Sequence, residues 1–131
     1  MPTEKAQTTT EKYPKRGEVW LISNNPSVSN DPHLPRPVVI ISTNPRNKSW
    51  ESVLVVPLST SLSNTHPKFH KLIQAGVGGV SRACHARCEL VSNLEKFNLD
   101  STTGPLGTLP DNYIWEIVRG IRASIGDNPD Y

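Results

Sequence analysis

Arg87-Cys88-Glu89-Leu90-Val91-Ser92 is the stretch around which the rest of the chain is organised. Its polar and apolar residues alternate with a period of two, which predicts a short β-strand. In a strand, side chains two apart leave from the same face. Arg87 and Glu89 are therefore expected to project together, about 6–7 Å apart. A cation beside a carboxylate suits phosphate chemistry if the face is open. On a merely solvated face it is an ion pair worth ~0–1 kcal/mol. The flanking chain decides between the two.

Upstream, Gly76, Gly78 and Gly79 mark a turn, and residues 68–73 (KFHKLI) alternate as a strand should. Residues 51–56 (ESVLVV) are a β-branched run expected to end at Pro57, with the hydroxyl-rich loop 59–64 beyond it. Residues 36–42 (RPVVIIS) place Pro37 at a strand entrance, where its missing N–H does least harm. The unbroken run Val38 to Ile41 predicts burial on both faces. Asn44, Pro45 and Asn47 predict a turn. The first strand is expected over residues 18–23 (EVWLIS), after Lys15-Arg16-Gly17. Residues 24–35 hold three prolines and three asparagines, which forbids regular structure and predicts a long loop, functional or mobile.

Downstream, Ile114, Ile117, Val118, Ile121 and Ile125 recur at helical spacing, with Asp111 placed as N-cap and Gly126 as terminator. The class is a small, mostly antiparallel β-barrel-like domain of short strands with one C-terminal amphipathic helix. At 131 residues it is one domain with a modest core. The 35 % apolar content and twelve prolines make it loop-rich. A net charge of +2 permits nucleic-acid binding without arguing for it. No apolar run reaches the length of a membrane span, and residues 1–15 are too polar for a signal peptide. A cytoplasmic location is expected, with Cys84 and Cys88 as reduced thiols. Residues 1–14 are expected to be a disordered leader, 15–126 the folded domain and 127–131 a tail.

Four motifs carry a resemblance. Arg16-Gly17-Glu18-Val19-Trp20, Arg36 to Ser42, Val55-Val56-Pro57-Leu58-Ser59-Thr60-Ser61 and Arg87-Cys88-Glu89 occur in order before the helix. Together they resemble the MazF/PemK (Kid) toxin family. The resemblance implies an SH3-like barrel of the CcdB/MazF/PemK type, with five to seven short antiparallel strands. It also implies the toxin of a type II toxin–antitoxin system. Such a toxin is a homodimeric mRNA interferase that cuts single-stranded RNA without a metal or other cofactor and inhibits growth. Its cognate antitoxin covers the RNA groove, and the complex binds DNA; no membrane is involved. Carried over by position, the resemblance marks Arg36, Ser59, Arg87 and Glu89 as catalytic, with Thr60, Asn30, His33 and Trp50 toward RNA. Leu90 stands where the family has Gln. Asn30 stands where the PemK branch has its catalytic His, with His33 three residues on.

Metal-independent cleavage uses the RNA 2′-OH as nucleophile, leaving a 2′,3′-cyclic phosphate and a 5′-OH. It needs a base for the 2′-proton and cations for the developing charge. Glu89 is the expected base, Arg36 and Arg87 the phosphate clamps, and Ser59 or Thr60 a phosphate hydrogen bond. An Arg is a poor proton donor, since a guanidinium holds its proton far too tightly at neutral pH. Each has a plainer reading: a strand-edge salt bridge for Arg36, a turn hydroxyl for Ser59. Trp20, in an apolar strand, is expected in the core, whereas Trp50 divides between packing and base stacking. Trp115 is out of phase with the isoleucines and marks a dimer or partner surface. Other classes remain open. His66-x3-His70 and Cys84-x3-Cys88 have zinc-like spacings. The same barrel also serves a CcdB-like gyrase poison or a non-catalytic binding module.

Overall fold

The computed structural model describes residues 12–23, 36–61 and 65–127. Most of the expected leader, and the 24–35 loop with Asn30 and His33, lie outside them. Seven strands form one curled antiparallel sheet. They are β1 (Glu18–Leu21), β2 (Pro37–Ile40), β3 (Ser52–Ser59), β4 (His70–Ile73), β5 (Cys84–Arg87), β6 (Ser92–Glu95) and β7 (Gly107–Thr108). The order is β4-β5-β3-β2-β1-β7, with β6 also on β3. Among the described residues two α-helices accompany them, α1 (Asn44–Ser49) and α2 (Asp111–Ser124).

β3 is the hub. One edge pairs with β2; the other pairs with β6 over Ser52–Val55 and with β5 from Leu58 onward. Pro57 sits where that second edge changes partner, so its missing N–H does not end the strand as expected. The 44–49 stretch is a short helix instead of a turn, with Pro45 in its first turn. Six residues do not hold a helix by propensity. A buried network anchors it: Ser42 Oγ donates to Asn47 Oδ1, and Asn47 Nδ2 donates to the Ser42 carbonyl at 3.0 Å. The Leu54 N–H donates to Ser42 Oγ at 3.0 Å, tying the helix to β3.

The two sheet faces carry two cores. One joins Val19, Val39, Val56, Leu58, Ile73, Ala86 and Cys88 to Ile114 and Ile117 of α2. The other gathers Val38, Ile40, Val53, Val55 and Leu99, with Trp20 packed against it as a half-buried partner. The Trp20 indole N–H donates to Glu18 Oε1 at 3.0 Å. Pro110, not Asp111, takes the N-cap of α2; Asp111 is the first helical residue, where its charge still favours the N-terminus. Trp115 is 61 % exposed, with the Arg16 guanidinium 5.9 Å from its ring. Among the described residues no helix is long and apolar enough to cross a membrane.

The central stretch departs most from its expectation. β5 ends at Arg87, and Cys88–Leu90 form a single 3₁₀ turn. Cys88 plunges into the core beneath α2, where a Cβ on Gly120 would stand 2.6 Å from its Sγ. That close approach lets the helix brace the turn carrying Glu89. Burial pushes the Cys88 thiol up to about 12, so it stays protonated and packs as a small apolar group.

A candidate active-site cleft

The cleft forms where β2, β3 and β5 meet on the face turned away from α2. Val38 pairs with Pro57, so continuing the register two residues sets Arg36 opposite Ser59. Ser59 in turn pairs with His85, and His70 with Arg87. Directly opposed residues share a face, which brings these side chains to one surface. The resulting cleft of about 640 Å³ is lined by Arg36, Pro57, Ser59, Thr60, Ser61, Arg87 and Leu90, among others.

Two arginines and three hydroxyl residues, from three separate motifs, thus line one cleft. Among the described residues the buried Arg87 Nε has no hydrogen-bond partner, a cost that a bound anion would remove. Ser59 Oγ accepts the Ser61 N–H at 3.2 Å, shaping the turn while its own hydrogen stays available to donate. Leu90, 51 % exposed, closes the rim with an apolar side chain.

Glu89 does not stand beside Arg87. The strand has ended, so the two-residue spacing no longer puts them on one face, and Glu89 is not among the residues lining the cleft. Its Oε2 lies 3.0 Å from His70 Nε2 instead. Trp50 is 58 % exposed, with Arg46 stacked 4.6 Å from its ring. The eight residues of β3, about 25 Å of extended chain, separate it from Ser59, and it does not line the cleft. Asn30 and His33 fall outside the described residues.

The zinc spacings do not assemble a site. His66 stacks on Phe69, and Cys84 and Cys88 are unpaired and face the core. Among the described residues, no three His, Cys, Asp or Glu side chains cluster as metal ligands.

Sequence reasoning missed the two histidines beside the cleft, because only strand register reveals them. Among the described residues the buried His85 Nδ1 has no partner, and the ring lies 6.5 Å from that of His70. Burial, reinforced by His70 and Arg87, holds His85 below the usual imidazole range, so it is neutral at pH 7.

A family model described as PemK-like, MazF-like toxin of type II toxin–antitoxin systems matches residues 15–125. The chain is 25 % identical over 85 residues to "Endoribonuclease MazF9" of Mycobacterium tuberculosis, covering 61 % of this chain and 71 % of that one. An endoribonuclease in complex with its cognate antitoxin, from a mycobacterial species, superposes with TM-score 0.66 at 19 % identity, over 88 % of this chain and 95 % of that one. A Deinococcus radiodurans MazE–MazF structure gives 0.67 at 15 % identity, over 88 % and 98 %. At such identities these two structures speak for the fold.

Proposed function

The chain belongs to the PemK-like, MazF-like toxin family of type II toxin–antitoxin systems, and on that premise we propose that it is an endoribonuclease cutting single-stranded RNA by 2′-OH attack. The observation that carries the reading is the convergence of Arg36 and Arg87 with Ser59, Thr60 and Ser61 on one open cleft. Two guanidinium groups match the oxygens of a scissile phosphate bidentately and offset its growing charge. The hydroxyls add neutral donors. Glu89, on the turn directly after Arg87, takes the 2′-proton. Among the described residues the lining holds no carboxylate, so its donors suit a phosphate better than a divalent cation. The chemistry is accordingly read as metal-independent.

Residues 15–126 are taken as the catalytic domain. The partners are an RNA strand, a cognate antitoxin and a second copy of the chain. For the last, exposed Trp115, Ile125 and Phe97 leave apolar surface to cover. Light scattering at micromolar concentration should give twice the 14.5 kDa chain mass; a value near 14.5 kDa would rule the homodimer out under those conditions.

A 2′-deoxy nucleotide at the cleaved position tests the mechanism. It should block cleavage and leave binding intact, because only the nucleophile is gone. Cleavage of the 2′-deoxy substrate at an undiminished rate would refute 2′-OH attack.

A further inference from the structure

His70 begins β4 directly opposite Arg87, and both of its ring nitrogens are engaged. Nδ1 accepts the backbone N–H of His66 at 2.8 Å, and Nε2 lies 3.0 Å from Glu89 Oε2. A nitrogen that accepts an N–H carries no hydrogen of its own, so in the neutral ring the hydrogen is on Nε2. His70 therefore donates to the carboxylate. Its side chain is only 6 % exposed, against 31 % for Glu89.

The histidine is itself held. The His70 N–H donates to the His66 carbonyl at 2.8 Å, and the Cys88 N–H donates to the Phe69 carbonyl at 3.0 Å. The 66–70 turn and the 88–90 turn are thus stitched together by one backbone bond and one side-chain bond. Among the described residues Glu89 Oε1 has no hydrogen bond. One carboxylate oxygen is fixed and the other is left for a substrate.

We propose that His70 is the positioning residue of Glu89, fixing Oε2 through its Nε2–H so that Oε1 is presented to the RNA 2′-hydroxyl. The inference rests on the reading of Glu89 as the base. It also explains how an exposed carboxylate on a short turn, with no Arg beside it, keeps one orientation. A base misplaced by about 1 Å loses up to about 100-fold in rate, so a fixed carboxylate matters.

The test uses initial rates on a long single-stranded RNA, giving kcat and KM for the wild type, three single variants and one double variant. His70→Asn keeps an oxygen where Nδ1 accepts the His66 N–H, so the turn survives, but its amide falls short of Glu89. It should lower kcat about 10–100-fold and leave KM within about twofold. His70→Gln places an amide N–H within reach of Glu89 and should restore most of the rate. In a Glu89→Gln background, His70→Asn should cost nothing further, since the group it positions has lost its function. A merely structural role predicts equal losses in both backgrounds and no rescue by Gln; either result would overturn the proposal, as would a His70→Asn rate equal to wild type. A Glu89→Gln enzyme of normal rate would overturn the base assignment itself, and with it this inference.

Discussion

Glu89→Gln is expected to slow RNA cleavage by about 10²–10⁴-fold while RNA affinity stays level or rises slightly. The amide matches the carboxylate in size, and its oxygen still accepts from His70 Nε2, now 3.0 Å from Oε2. What disappears is the proton acceptor. Affinity does not fall, because the change removes a negative charge from the neighbourhood of a phosphate-binding face. Single-turnover cleavage, with binding measured on a 2′-deoxy substrate, separates the two quantities. A rate within twofold of wild type would remove Glu89 from the chemistry and leave the cleft as a binding surface.

Gly79→Ala should destabilise the fold by roughly 3 kcal/mol, adding backbone strain to a steric clash. Gly79 has φ of +84°, and a Cβ there would stand 2.2 Å from the Leu106 carbonyl oxygen. That atom belongs to backbone leading into β7, so it cannot rotate away as a side chain would. In a domain of 131 residues such a loss lowers Tm by about 10–15 °C. Gly76→Ala is the control: its φ is +91°, but nothing lies within 4 Å of the added carbon. Only strain remains there, on the order of 1 kcal/mol. Equal thermal shifts for the two variants would show that the contact with β7 is not what fixes Gly79.

The strands and the final helix were legible because their signals are local. The apolar runs in β2 and β3 follow from sheet burial, and Ile114 and Ile117 fall where a 3.6-residue period puts them. Pro57 was misread because the exemption it enjoys depends on two other strands sharing one edge of β3. Asn47 looked like a turn residue; its buried amide, bonded to Ser42, makes it the anchor of α1. The alternation through Arg87 to Ser92 was real, yet Cys88 is drawn into the core by α2 and the strand closes there as a turn. Of the site, Arg36, Ser59, Thr60 and Arg87 were found by motif and do line one cleft. His70 and His85 were not found, since their relation to Arg87 and Ser59 exists only in the pairing of β3, β4 and β5. The first of them, read by spacing alone, suggested zinc.

The site also differs from a surface ion pair. Neither Arg87 nor Glu89 is the other's partner: Arg87 Nε is buried and unsatisfied, and Glu89 is bonded to a histidine. A guanidinium nitrogen without a partner among the described residues, beside hydroxyl donors, is what a phosphate-binding cleft would use.

The most direct measurement is incubation of the purified chain with a long single-stranded RNA in excess EDTA, followed by mapping of both product ends. Cleavage is expected at discrete positions, with a 5′-OH on one fragment and a 2′,3′-cyclic phosphate on the other. Cleavage that stops in EDTA and returns with Mg²⁺, or that leaves 5′-phosphate ends, would contradict that expectation.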